Sequence, residues 1–473
     1  MQLRQISIFL VLTKLASSMA SMSTTLRGFT LGGIAHLKQS GICALSSSGS
    51  TLVLGNEAAD ADSIISSLTY AYLKQWQSDN KIQSSSPAKL RSPIIPIVSI
   101  SRKEIHLRRD VELLLNEIGL QLSDLICVDE CNIANLTVES NLDLILVDLN
   151  VLGHEMTKKI GSDVPIDEIV KEILDHHEDS GAYLQAPVRE IAFDSERKIP
   201  EVASTCTIIA EKYLETNSLK ALTVDIATLL VGVIALDSLN MNPSQRRGTP
   251  RDQRALDSLL SLHPTIRRNH LFELLMNAKT DPAFWESLTA NDAIRIDFKG
   301  FQITLPEKLA QSDDVSKEAS LEQRGSLGIA SVLQSADSFL LKSDLDSELN
   351  SYFFPSSVTV DGISLQIQPD VSTIPASDML VIMNLEFKPK LSRSILFFSS
   401  SEARIRNLSA YLSAEGGALQ LTELDSAHGN PSVRACSGGN IYVLAYQQGN
   451  TDMSRKQIAP FLSSYYSSKS SIP

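Results

Sequence analysis

Short apolar runs alternate along the first half of the chain with stretches whose apolar positions recur at helical spacing. TLVLG (51–55) has the character of a buried strand. In SIISSLTYAYLKQW, residues Ile64, Ile65, Leu68 and Ala71 or Leu73 form one helical face, and Ser63 is placed to cap that helix. IIPIVSI (94–100), the helical EIHLRRDVELLLNEIGL (104–120), DLICV (124–128) and LDLILVDL (142–149) continue the alternation. VASTCTIIAEKYLE (202–215) and TVDIATLLVGVIALDSL (223–239) read as helices, and the second, apolar almost throughout, is expected to be buried. Alternating strands and helices predict an α/β fold with a mostly parallel sheet and helices on both faces.

After a helical region over 250–280 the pattern changes to shorter strands mixed with helices: DAIRIDFKGFQI, LGIASVL, MLVIMNLEF, SILFFS and IYVLAYQ, with a helix at EARIRNLSAYLSA. This predicts a second, smaller α/β domain with a mixed sheet. At 473 residues the chain exceeds what one core usually holds. The expected division is a possible targeting segment over 1–30, a first domain over 31–255, a linker over 256–270 and a second domain over 271–473. The polar stretch 310–326 reads as a loop or insertion.

Composition narrows the function classes. With 43% apolar and 21% charged residues the chain is of globular type, and its net charge of −13 argues against a general nucleic-acid partner. After the first 25 positions there is no apolar run of 18 or more residues, so no membrane span is expected. The five cysteines, Cys43, Cys127, Cys131, Cys206 and Cys436, are irregularly spaced, which fits free thiols in a reducing compartment. No Asp or Glu precedes Glu57. A cytoplasmic location is expected, with a mitochondrial or other organellar location as the alternative because that composition suits a transit peptide, and a secretory signal as the competing reading of the same segment.

Chemistry-bearing side chains gather at the ends of apolar elements. Asp60 and Asp62 follow TLVLG, Asp148 ends LDLILVD, Asp175, His176 and His177 follow EIVKEIL, and Asp237 stands near the end of the apolar helix. In open parallel sheets ligands collect beyond the carboxyl ends of the strands. Taken singly, each residue has a structural reading: Asp60 and Asp62 as turn residues, Asp148 as a helix cap, Asp237 as a partnered buried carboxylate. Taken together, oxygen and imidazole donors without thiolate suit two divalent cations such as Mn²⁺, Mg²⁺ or Co²⁺. Two such ions roughly 3.5–4 Å apart can clamp a phosphoryl group for in-line attack.

LVLGNEAADADS, LILVDLN, LDHHEDSG and LLVGVIALDSLNM, in this order, resemble the four motifs of the DHH phosphoesterase superfamily. DMSRKQIAPFL resembles the Ser-Arg-Lys signature of the second domain shared by type II inorganic pyrophosphatases, eukaryotic exopolyphosphatases and prune-type proteins. LGIASV is similar to a strand of that domain, and the resemblance covers roughly residues 45–465. It implies that Asp60 binds one metal, that Asp62 binds the other, that Asp148 bridges both, and that His176 and Asp237 complete the coordination. It implies further that His177 faces the substrate phosphate and that Asp175 orients the imidazoles. Arg455, Lys456 and Lys279 are implied to grip anionic phosphates, with the active site in a cleft between the two domains.

Asn56 stands where pyrophosphatases of this type carry His, and His177 stands where prune-type proteins usually carry Arg. Both differences resemble the exopolyphosphatases, and Asn56 is assigned to the substrate side of the site. The resemblance therefore implies hydrolysis of terminal phosphoanhydride bonds of inorganic polyphosphate, with pyrophosphate as the nearest alternative substrate. A phosphodiesterase and a prune-like interaction scaffold are further alternatives. Arg246, Arg247 and Arg251 in SQRRGTPRD are candidates for a basic path along a polyanion, or else a solvated loop.

Overall fold

The computed structural model describes residues 25–30, 32, 50–82, 93–131, 142–161, 164–304, 324–354, 357–360, 363–366, 378–386, 391–424, 434–435, 441–451 and 453–468. The expected targeting segment lies outside these except for 25–30, as do Cys43, Cys436 and the expected loop 310–326 up to Arg324. Cys127, Cys131 and Cys206 are buried free thiols.

Five parallel strands form the first sheet: β1 (Ser50–Leu54), β2 (Ile94–Ile97), β3 (Leu142–Val147), β4 (Val170–Asp175) and β5 (Val188–Ile191), in the order β2-β1-β3-β4-β5. Successive side chains of a strand point to opposite faces, and this sorts the core into two layers. Leu52, Leu54, Leu144, Leu146 and Ile173 pack with Met156, Ile160 and Ile169. Val53, Ile145, Val147 and Leu174 pack against the helices Ala61–Ile82, Thr205–Leu214 and Val224–Asp237, through Ile65, Leu68, Ile208 and Leu230. A parallel sheet covered on both faces reads as continuous apolar runs, which is why its central strands were recognisable. Helix Val224–Asp237 is buried along almost its whole length, as its composition predicts.

Several elements differ from expectation. DLICV is no strand; it lies between the 3-10 turns Leu122–Asp124 and Val128–Glu130, and Cys127 makes a single bridge to Val98. The helix expected over 104–120 is a 3-10 turn, Ile105–Leu107, followed by Arg109–Asn116. In DAIRID a helix, Ala290–Arg295, precedes the strand Phe298–Thr304. β5 escaped notice because it is a partly exposed edge strand without an apolar run.

The chain divides into compact units Met1–Lys279 and Thr280–Pro473. No linker lies at 256–270. Pro250–Leu262 is instead a helix, started by a Thr249–Asp252 capping box, and its Leu256 and Leu259 are fully buried in the first core. The second unit has the expected mixed sheet: Arg324–Val332 runs parallel to Met379–Glu386, while Phe298–Thr304, Ser392–Ser399 and Tyr442–Gln448 pair antiparallel with their neighbours. Helices Glu402–Glu415 and Arg455–Ser468 cover one face through Ile405, Leu408, Ile458 and Leu462. Ala290–Arg295 and Leu345–Phe353 contribute to the core on the other.

Because Leu259 belongs to the first core, Leu259→Ala is expected to lower unfolding stability by about 2–5 kcal/mol, as core truncations do. Denaturant unfolding measures this, and a change no larger than that of an exposed-site substitution would contradict it.

Candidate metal centre

β1, β3 and β4 are neighbours, and all three end at the same edge. Their carboxyl ends deliver Asn56–Asp62, Asp148 and Asp175–His177, so three segments distant in sequence meet by sheet topology alone. After β1 the chain turns sharply. A side chain at Gly55 would place its Cβ 2.7 Å from Cβ of Ser63, so glycine permits the close approach. The turn ends at Asp60, whose carboxylate accepts from the amide of Ser63 (3.1 Å) in the first turn of helix Ala61–Ile82.

Asp148, buried and held at φ +61°, is the centre of a hydrogen-bond array. Its Oδ2 accepts from Ser63 Oγ (2.6 Å) and Asn56 Nδ2 (2.7 Å). Asn56 cannot be turned over, because its Oδ1 accepts the amides of Ala58 (2.9 Å) and Ala59 (3.1 Å). Asn56, expected on the substrate side, thus orients a carboxylate. Ser63, expected as a helix cap, does the same. The remaining oxygen, Oδ1, lies 3.5 Å from His176 Nε2 and 3.7 Å from His177 Nδ1.

Asp62 faces the amino terminus of helix Thr205–Leu214. Its two oxygens accept from Ser204 Oγ (2.7 Å), Thr205 N (2.7 Å) and Cys206 N (2.9 Å), a natural seat for an anion. His176 donates from Nδ1 to the carbonyl of Val202 (3.1 Å), which places its lone pair on Nε2, 3.5 Å from Asp148 and 3.9 Å from Asp62. A lone pair facing two carboxylates at such distances leaves a place that a cation would satisfy.

Asp175 is fully buried and accepts from His177 Nδ1 (2.8 Å), His176 N (2.7 Å) and Asn150 Nδ2 (2.6 Å). Burial opposes its charge, but the hydrogen bond and the charge of His177 outweigh it and hold the carboxyl at about 2. With Nδ1 committed to Asp175, His177 presents its chemistry through Nε2. Asn150, Ser204, Thr205 and Val202 were not anticipated. Only Asn150 carried a local signal, its position in LILVDLN beside Asp148.

Buried negative charge dominates the centre. Burial, then the charges of Asp62 and Asp60, pushes Asp148 up to about 7. Burial also raises Asp62 despite the nearby His176. Asp237 is raised well above the carboxylate range, first by burial and then by Asp62, with Lys279 acting in the opposite direction. The Oδ2 of Asp237 is buried without a hydrogen-bond partner. An orphaned carboxylate oxygen among repelling carboxylates and an aimed imidazole is the chemistry of a divalent-cation site, and these residues fit one. Among the described residues, Asp148, His176 and His177 offer ligand atoms within 4.8 Å of one another.

The basic residues fare differently. Lys279 is close enough to Asp237 to act on its charge. Arg246 and Arg247 are exposed, Arg246 in a left-handed conformation. Arg251 is no part of a basic path, since Glu211 (2.5 Å), Glu201 (3.2 Å) and Glu190 (3.5 Å) engage its guanidinium. In the second unit Arg455 donates to the carbonyl (2.7 Å) and carboxylate (2.8 Å) of Asp297, and Lys456 follows it at the start of the last helix.

Fold and site together describe a parallel α/β domain with an acidic, imidazole-bearing centre at the carboxyl ends of its strands. Residues 50–234 match the family model described as "DHH family, N-terminal domain", and the chain contains a domain of that family. Exopolyphosphatase PRUNE1 of Homo sapiens is 27% identical over 417 residues, covering 87% of this chain and 74% of that protein. A putative exopolyphosphatase of Schizosaccharomyces pombe is 26% identical over 261 residues, covering 53% and 60%. The crystal structure of a Methanococcus jannaschii putative family II inorganic pyrophosphatase aligns with a TM-score of 0.45 at 17% identity, covering 88% of this chain and 99% of that one.

Since Asp237 is repelled by its neighbours, Asp237→Asn is expected to raise Tm in metal-free buffer at pH 8. Mn²⁺ at a hundred times its Kd should stabilise the unmodified chain by about 2.7 kcal/mol, and the variant by less. Thermal unfolding with and without Mn²⁺ measures both effects. A variant with lower metal-free Tm and a full Mn²⁺ response would contradict the role of Asp237.

Proposed function

We propose that this chain is a metal-dependent phosphoanhydride hydrolase that removes terminal phosphate from inorganic polyphosphate. The single observation that carries the proposal is the approach of Asp148 (3.5 Å) and Asp62 (3.9 Å) to Nε2 of His176 at the carboxyl ends of parallel strands, in a DHH-family domain. That the human and S. pombe relatives bear the name exopolyphosphatase supports the choice of substrate.

Asp60, Asp62, Asp148, His176 and Asp237 would hold two divalent cations, Mn²⁺, Mg²⁺ or Co²⁺. When bound, such ions supply Lewis-acid charge and lower the pKa of water. The protein's own groups do the rest. Water attacks the terminal phosphorus, the P–O–P bond breaks, orthophosphate leaves, and the shortened chain keeps the bridging oxygen. His177, held through Nδ1 by Asp175, donates from Nε2 to an oxygen of the transferred phosphoryl group as its charge grows. Asn150 keeps Asp175 ionised and fixed, and Ser63 and Asn56 keep Asp148 oriented. Lys279 supplies a point charge to phosphate oxygens; Arg455 and Lys456 are proposed for phosphate contacts from the Ser-Arg-Lys signature they belong to, and the exposed Arg246 and Arg247 for contact with a longer polyanion.

Phosphate release from pyrophosphate, tripolyphosphate and long chains, measured with each cation, tests the proposal; the expected result is higher kcat/KM for chains of three or more phosphates. Preference for pyrophosphate would make the protein a pyrophosphatase, and no release from any of them would remove the hydrolase assignment. Asp148→Ala is expected to abolish activity and reduce bound metal together, as metal analysis and phosphate assay would show. Lys456→Ala should lower kcat with metal content retained, and loss of metal from that variant would contradict its assignment to substrate.

A further inference from the structure

We propose that Arg108 is a positioning residue for the metal centre: it clamps two consecutive carbonyls of the turn that delivers Asp60 and Asp62, holding that turn in a conformation it would not otherwise keep. The inference rests on the metal-site reading above.

Arg108 is only 3% exposed, and it lies in none of the segments that carry the acidic and imidazole groups. It stands just before helix Arg109–Asn116. Its Nε donates to the carbonyls of Ala58 (3.1 Å) and Ala59 (2.9 Å), and its Nη2 donates to Ala58 again (2.5 Å). Ala59 has φ +46°, the left-handed region that residues with a Cβ rarely adopt. On the other side of the same two residues, the amides of Ala58 and Ala59 both donate to Asn56 Oδ1.

The dipeptide is therefore gripped from both sides, by Arg108 on its carbonyls and by Asn56 on its amides. Asn56 in turn donates to Asp148. A continuous hydrogen-bonded line runs from Arg108 through the strained turn to the carboxylate at the centre of the site. Both alanines are buried, so without the guanidinium their carbonyls would lose these donors where water cannot replace them. Left-handed backbone at a non-glycine persists only where its surroundings over-determine it. Arg108 supplies that determination, and the geometry demands arginine in particular. A planar fork spans adjacent carbonyls, whereas the lysine ammonium is a point charge on a flexible stem.

The test is titration of the full chain with Mn²⁺ alone, followed by electron paramagnetic resonance, for the unmodified protein, Arg108→Lys and the double variant Arg108→Lys/Ala59→Gly. Arg108→Lys is expected to weaken Mn²⁺ binding about 10–100-fold, the usual consequence of losing a residue that orients metal ligands. Glycine at 59 adopts the left-handed conformation without the Cβ penalty, so the double variant should regain most of the lost affinity. A merely structural arginine predicts no such rescue.

Unchanged affinity in Arg108→Lys, or no recovery in the double variant, overturns the inference. If Arg108→Lys fails to fold, the double variant decides alone: a folded protein with restored Mn²⁺ affinity supports the inference, and one that stays unfolded overturns it. Absence of Mn²⁺ binding in the unmodified chain would remove the metal-site reading itself, and the inference with it.

Discussion

Mutual repulsion among buried carboxylates is the constraint around which the first unit is organised. Asp62, Asp148 and Asp237 stand in one desolvated region, each driven toward its neutral form by burial, with neighbouring acids adding to the effect. Such charge is too costly to bury unless something offsets it. The protein supplies part of the offset through hydrogen-bond donors and the charge of Lys279 beside Asp237, and leaves Oδ2 of Asp237 without a hydrogen-bond donor. A site stabilised in part and repelling in part is poised to take up cations rather than to be neutral by itself.

The donors that restrain this charge come from structure one layer out. Helix Thr205–Leu214 aims its first amides at Asp62, and the residues just before it receive the Nδ1 proton of His176 at Val202. That helix start is itself pinned by the buried Asp252, which accepts from Ala203 N (3.0 Å) and Thr207 Oγ1 (2.6 Å). The helix Pro250–Leu262 that carries Asp252 is consequently integral to the first unit. Rigidity around the acidic groups follows from these contacts, because each ligand's orientation is set by a neighbour that is itself fixed.

Asp175 shows how environment divides roles among identical side chains. Asp148 and Asp175 both stand at the ends of adjacent strands, and both are buried. Asp148 faces other acids and is pushed up to about 7, whereas Asp175 faces His177 and Asn150 and is held at about 2. The first suits a group that shares cations, the second a permanently ionised brace for an imidazole.

Much of this was legible in the chain itself. Alternation of apolar strands and amphipathic helices specified the α/β class, because burial on both sheet faces requires that pattern. The acids and imidazoles announced themselves by standing at the ends of apolar runs. Less visible were elements without a periodic signal, such as the edge strand Val188–Ile191, and the segment 124–128, where an apolar run suggested a strand but only one bridge forms. Hidden altogether were the partners: that Ser63 serves Asp148 and does not cap a helix, that Arg251 is claimed by three glutamates, and that Arg108 reaches the carbonyls of Ala58 and Ala59. The sequence by itself determined which chemical groups the protein has and the ends of which elements carry them, since these follow from residue identity and local periodicity. Only the tertiary structure decided which group faces which, since hydrogen-bond partners 50 to 143 positions apart are chosen by strand order and helix packing, not by any local preference.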